Sequence, residues 1–367
     1  MLQQYVGVLV SPRSGSPPFG SRRFLMRLCR IGAAMGMGIY VFRPSDIDWS
    51  AHHAEGYEYD SKSAQWIRRT YPLPSVVYDR GFFTTADALR THRACIARLE
   101  SRSVRIMGGR LAGKWDIQQL LGRNRHFAPY LPPTERLDSA ARVLARLKRE
   151  QVLFLKPAGG SQGRGALRIA RTPDGRFEAG GRDRIGRTVQ MQFGSQTELA
   201  HWLPRFTGRR AYLIQPYLDL AAADGRVYDI RVLVQKNRHG RWQESGIAAR
   251  IGSAGSVTSN LHGGGTAEDA EAQLTEQFGA QEAEKLTRRL KKLAALLPPY
   301  LEQHFPSIAE LGLDFGIDRT GRIWILECNS KPGRSAFARL SNRQSHWLSH
   351  VQPLRYARYI LDRHLGG

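Results

Sequence analysis

Cysteine is scarce in this sequence. Cys29, Cys95 and Cys328 are the only three in 367 residues. Odd in number and scattered, they offer neither a disulfide framework nor the paired spacing of a zinc site. They fit a reducing compartment, so a cytoplasmic location is expected. Long apolar runs are missing as well: none reaches the ~18 residues that a membrane-spanning helix needs. The opening stretch MLQQYVGVLVSPRSG has no basic flank and no long apolar core, and reads as a first strand and loop rather than a signal peptide. Acidic residues are the third shortage. Thirty-two Asp and Glu face 55 Lys and Arg, a net charge of +23. Such a surplus favours an anionic partner: nucleic acid, an anionic surface, or an acidic peptide or polymer. The plainer account is compositional, since most of the basic residues are arginine, as a GC-rich genome would give. The charges are spread along the chain rather than gathered in a tail. Zinc-finger spacing and RNP aromatics are absent, so an acidic substrate or polymer is the stronger expectation and nucleic acid the weaker.

What is present is a chain long enough for two or three lobes, with 41% hydrophobic residues as in a globular protein. Its most informative stretch is FLKPAGGSQGRG at 154–165. An apolar run delivers Lys156 into a loop holding Gly159, Gly160, Ser161, Gln162, Gly163 and Gly165, and ALRIA follows at once. Strand, glycine-rich loop, strand makes a phosphate-covering hairpin. Glycines let backbone N–H groups approach phosphate oxygens, and lysine adds a mobile point charge. It is not a Walker loop, because no Gly-Lys-Ser/Thr occurs and no helix follows directly.

At the far end, LGLDFGIDRTGRIWILECNSKPG spans 311–333. Two apolar strands flank a DRTG turn, forming a hairpin. Asp314 lies on the first strand. Glu327 and Asn329, two apart on the second, point to one face, with Cys328 between them facing the core. Two acids and an amide converging among apolar residues need a cation, and hard oxygen donors suit magnesium.

The two elements in this order, with AYLIQPYL (211–218), YDIRVLVQ (228–235), SGIAARI (245–251) and SNLHGGG (259–265), resemble the ATP-grasp superfamily over about residues 109–340. The core series is similar to ribosomal-protein glutamate ligases. VVYDR (76–80) and MGGR (107–110) in the N-terminal third resemble the YheC/YheD-type ATP-grasp proteins, described as endospore coat-associated. The resemblance implies an α/β fold of the α+β grasp kind: two α+β lobes clasping ATP, preceded by a small doubly wound α/β lobe. The expected divisions are 1–108 for that first domain and 109–345 for the ATP-grasp domain, split at 210/211 into a lid lobe and a metal and hinge lobe. A C-terminal helix at 346–367 follows.

The resemblance also implies roles. Lys114 and Lys156 match lysines that clamp nucleotide phosphates. Gln215, Pro216, Tyr217 and Leu218 match the adenine hinge. Asp219, Asp224 and Asp229 remain alternative ribose contacts. Asn260 matches an asparagine that reaches the phosphates, whereas His262 reads as a loop residue. Arg231 is the candidate for holding an acylphosphate and the tetrahedral intermediate, and Arg250 for the γ-phosphate. Asp314, Glu327 and Asn329 match the metal ligands. Lys331 and Arg334 follow them, where a substrate acceptor would be met, and would favour an acidic one. ATP and Mg2+ are the implied cofactors, two ions rather than one, with Mn2+ an alternative. Spore coat proteins and the endospore coat are the implied partners and place. The implied reaction is carboxylate–amine ligation. A kinase that stops at phosphoryl transfer, and a non-catalytic coat protein, are the competing readings.

Along the chain, β-α-β alternation is expected over the first hundred residues, with a helix over 84–99 capped by threonine. Helices are also expected from Lys114, over 139–150 and 197–202, and over 347–365. The polar, glycine-rich segment 175–187 predicts a turn or a mobile segment, and the leucine spacing over 267–297 one long helix.

Overall fold

The computed structural model describes residues 5–160, 162–259, 261 and 264–364. They build three sheets, each with helices packed on it. In the first, the parallel strands Gly38–Phe42, Tyr5–Leu9, Val76–Asp79 and Arg105–Met107 lie side by side in that order. Gly38–Phe42 is buried along its whole length, as expected of a parallel strand covered on both faces. Helix Arg22–Ala34 joins the first two strands in chain order. Ala86–Glu100 precedes the last, its N-cap Thr85 accepting the Ala88 N–H. An antiparallel hairpin, His53–Asp60 with Gln65–Pro72, extends this sheet. This hairpin is not among the elements expected from the sequence.

The second sheet is wholly antiparallel, in the order Thr188–Phe193, Phe177–Arg182, Leu167–Arg171, Val152–Pro157, Tyr212–Pro216, Glu135–Arg136. Val152–Pro157 alternates between half-buried and buried positions. Its buried Leu153 and Leu155 pack under helices Ala140–Glu150 and Gln196–Thr207. Part of the 175–187 segment is therefore a strand, not a turn. One of its glycines serves a close approach: a Cβ on Gly181 would fall 2.1 Å from the Ala166 carbonyl oxygen and 2.9 Å from the Leu167 Cα, while one on Gly180 would meet nothing within 4 Å. Gly181→Ala is accordingly expected to cost about 1–3 kcal/mol in denaturant unfolding, and Gly180→Ala to stay within about 0.5 kcal/mol of the parent. Equal effects would contradict the steric account.

The third sheet runs Thr266–Glu268, Trp242–Ile251, Tyr228–Lys236, Glu310–Ile317, Ile323–Asn329, all antiparallel. The single helix expected over 267–297 is instead that short edge strand followed by two helices, Ala270–Phe278 and Ala280–His304. The break falls at Gly279, whose φ of +77° ends the first helix. Leu274, Leu286, Leu290 and Leu297 cover one sheet face, meeting Ile230, Val232, Leu313 and Phe315. The C-terminal helix Arg343–His364 reaches back to the first lobe, where Leu354, Ala357 and Leu361 join the core of Val6, Val8 and Leu25. No helix among the described residues is long and apolar enough to cross a membrane.

Candidate active site

Strand alternation sorts the third sheet into two faces. Ile230, Val232, Leu313, Phe315, Ile323 and Ile325 take the helix-covered face. Asp229, Arg231, Arg250 and Asp314 take the other. Simple parity from Ile323 and Ile325 would send Glu327 into the core with them. It does not go there, because a bulge intervenes: Phe315 pairs with Ile325 but Asp314 pairs with Glu327, leaving Leu326 as the extra residue. The bulge turns Glu327 and Asn329 to the face of Asp314, and Cys328 packs against the core as expected.

On that face the charges are tightly paired. Arg231 grips Asp314 with both Nε and Nη2, the latter donating to Oδ2 at 2.9 Å. Arg250 donates from Nε and Nη2 to the two oxygens of Asp229, each at 2.6 Å, and its Nη2 lies 3.1 Å from Asp314. The Ser259 hydroxyl also donates to Asp229, a contact no sequence signal announced. Asn329 Nδ2 donates to Asp314 Oδ2 at 3.2 Å. Burial would raise the Asp314 carboxyl, but Arg231 and then Arg250 outweigh it and hold the group below its ordinary value. Asp229 goes the other way: burial pushes it up beyond what Arg250 recovers, and the nearby charge of Asp314 adds to the rise.

The second sheet brings lysine to the same place. Lys156 Nζ donates to the carbonyl of Leu326, the bulge residue, at 3.4 Å. Lys114 opens the helix Lys114–Gly122 and sits 3.4 Å from Glu327. Burial, and then the charge of Lys114, bring the Lys156 ammonium down to about 8, against the pull of Glu327 and Asp314. In register with Lys156 is Leu213, on the strand that ends in Gln215 and Pro216. Gln215 is buried and donates to the Thr134 hydroxyl at 2.7 Å. Tyr217, half-buried, donates its N–H to the Val152 carbonyl at 3.2 Å and lies under the Arg168 guanidinium. Leu218 is half-buried beside it. Of the three ribose candidates, Asp229 is committed to Arg250. Asp224 pairs with Arg226, and Asp219, exposed at the hinge, with Arg319.

The glycine-rich loop is open at its tip. A Cβ on Gly159 or Gly160 would touch nothing within 4 Å, whereas one on Gly165 would strike Tyr212 Oη at 2.7 Å and Pro157 at 2.8 Å. Gly160, Gly163 and Gln162 all have positive φ. Ser161, Asn260 and His262 lie outside the described residues. A loop so lightly held should order on a ligand. Amide exchange over 157–166 is expected to slow when ATP and Mg2+ are added, and equal exchange in both conditions would count against a phosphate lid.

Two expected substrate contacts are corrected. The Lys331 side chain is enclosed, its Nζ 2.6 Å from Asp79 Oδ2 and donating to the Gly81 carbonyl at 2.8 Å. Arg334 is buried against Glu310, which also accepts from Tyr78 Oη at 2.6 Å, Arg80 at 2.6 Å and Gln235 at 3.0 Å. Both residues answer internal carboxylates, and a buried guanidinium needs one. The VVYDR motif thus finds its structural use: Tyr78, Asp79 and Arg80 fasten the first sheet to the third.

Among the described residues, no three His, Cys, Asp or Glu side chains gather as a metal site. The candidate set has only two carboxylates, with the Asn329 amide as third donor. Its chemistry fits Mg2+, because carboxylate and amide oxygens are hard donors. Around it Arg231, Arg250, Lys114 and Lys156 exceed Asp229, Asp314 and Glu327 by a single positive charge.

A family described as YheC/D like ATP-grasp matches residues 103–360. The chain is 28% identical over 337 residues to the "Endospore coat-associated protein YheC" of Bacillus subtilis (strain 168), covering 91% of each. To "Endospore coat-associated protein YheD" of the same organism it is 28% identical over 350 residues, 94% of this chain and 76% of the relative. Among solved structures, D-alanyl-alanine synthetase A from Vibrio cholerae O1 biovar eltor str. N16961 matches with a TM-score of 0.54 at 12% identity, over 98% of this chain and 99% of the other. At that identity the likeness is one of fold.

Proposed function

The chain belongs to the YheC/D-like ATP-grasp family, and from that premise we propose that it is an ATP- and Mg2+-dependent carboxylate–amine ligase. Its substrate is an acidic amino acid, peptide or polymer. What supports this most directly is the meeting of Lys114 and Lys156 with the Arg231–Asp314–Arg250–Asp229 group and Glu327 on one face of the third sheet. A protein retained only by its surface charge has no use for four cations and three carboxylates brought together on one face.

In the proposed reaction a substrate carboxylate oxygen attacks the γ-phosphorus of ATP and ADP departs. An amine then attacks the acyl carbon, loses a proton and expels phosphate. Lys114 and Lys156 hold the phosphates, and the amides around Gly159, Gly160 and Gly163 cover them. Gln215, Pro216, Tyr217 and Leu218 receive the adenine. Asp314, Glu327 and Asn329 would hold Mg2+, which supplies charge neutralisation at the phosphate oxygens. Arg231 faces the charge that develops at the acyl centre, and Arg250 the transferred phosphoryl group. Asp229 orients Arg250, which leaves the exposed Asp219 and Asp224 for the ribose.

The test is ADP and phosphate release across amino acids, acidic peptides and polymers, with products read by mass spectrometry. A ligase releases both only when carboxylate and amine are supplied together. A stable phosphorylated product would make the protein a kinase, and no release would leave the coat-protein reading. A finer consequence concerns protons. Above about pH 8 the Lys156 amine is neutral in the free protein, and phosphate beside it favours the charged form. ATP binding there is expected to take up a proton, seen by calorimetry in buffers of different ionisation heat, and Lys156→Met should abolish the uptake.

A further inference from the structure

Two helices packed side by side, Arg22–Ala34 and Arg343–His364, carry eight arginines between them and one carboxylate. A groove of about 410 Å³ runs between them, lined by Ile31, Met35, Val351 and Trp347 with Arg30 and Arg355. Trp347 is 50% exposed, one of few large apolar side chains left in solvent. The cations here rest on rings. Arg30 lies over Tyr59 at 5.2 Å, Arg355 over Trp347 at 5.1 Å, and Arg27 is 2.6 Å from His346 Nε2. His346 is held below its ordinary range, by burial and then by Arg27 and Arg343.

We propose that this groove docks an acidic amphipathic segment of another polypeptide, which places a large apolar side chain against Trp347 and carboxylates against Arg30 and Arg355. The shape and the charge choose the occupant. A concave apolar slot suits a side chain on a helix face, and a flat bilayer surface cannot enter it. Nucleic acid would use the arginines but not the apolar lining. A second copy would bring another basic face and be repelled. The lining shares no residue with the candidate active site, so the proposal stands apart from the ligase reading.

The probe is a fluorescein-labelled synthetic peptide of about 15 residues, rich in Glu, with Leu at helical i, i+3, i+4, i+7 spacing. Anisotropy is read against the full chain at low and raised salt. Comparisons are a scrambled peptide of equal composition, phosphatidylglycerol vesicles and a single-stranded oligonucleotide. The patterned peptide is expected to bind at least about tenfold more tightly than the scrambled one. Trp347→Ala should weaken it about tenfold or more, and Arg30→Glu with Arg355→Glu should abolish it. Arg184→Glu with Arg187→Glu, exposed on the second sheet's lobe, should leave it nearly unchanged. Thermal melting confirms that each variant is folded. Equal binding of the two peptides overturns the proposal, as do equal losses from the two charge reversals. So does tighter Trp347-dependent binding of vesicles or oligonucleotide than of the peptide.

Discussion

Replacing Arg231 by alanine is expected to lower turnover at saturating ATP by about two to three orders of magnitude while changing ATP affinity much less. Arg231 lies on the central strand of the third sheet and is gripped by Asp314 through two hydrogen bonds, so its guanidinium is held in place before substrate arrives. A donor fixed in advance stabilises developing charge without reorganising. The same pairing complicates the variant. Removing one partner of a buried pair leaves the other uncompensated, at a cost of about 3–5 kcal/mol in the fully buried case. Asp314 keeps Arg250 at 3.1 Å and Asn329 at 3.2 Å, which limits that loss. Arg231→Lys keeps the charge without the planar fork and should restore only part of the rate. ADP release, nucleotide binding and melting temperature, measured together, separate the effects. Normal turnover with strongly weakened ATP binding would make Arg231 a nucleotide clamp and end the proposed role.

Glu327→Ala should weaken Mg2+-dependent ATP binding by on the order of 10–100-fold or more, since even groups that only support metal ligands have effects of that size. Glu327 pairs across the strands with Asp314 and is partly exposed, with Lys114 at 3.4 Å. Unlike Asp314 it is not enclosed by guanidinium groups, so it is the carboxylate freest to meet an ion. Without it Lys114 loses its anion and gains freedom to reach phosphate. Binding in the absence of Mg2+ should therefore hold or improve, and the gain on adding Mg2+ should shrink. Calorimetry with and without the ion reads both. An undiminished Mg2+ requirement in the variant would remove Glu327 from the metal set.

The sequence alone was enough for the local pieces and the family. The apolar run before Lys156 marks a strand, and a threonine cap and apolar spacing mark the helix over 84–99, because period and capping are short-range properties. The residues of the candidate site, Lys156, Arg231, Asp314 and Glu327 among them, were legible as chemistry that apolar strands do not otherwise carry. Their arrangement was decided by tertiary structure. The Leu326 bulge reverses the facing of Glu327, and only pairing with the strand of Asp314 reveals it. Arg231 meets Asp314 across 83 residues, and Tyr78 meets Glu310 across 232, separations at which local patterns carry no information. Arg334 looked like a substrate contact until Glu310 was placed beside it. Gly175 and Gly186 do sit in turns, but Gly181 lies in a strand with the Ala166 backbone laid against it. A buried charge takes whatever counter-charge the fold brings, and Gly181 is explained by the backbone atom that a Cβ there would strike; both are facts about neighbours, not about the residue itself.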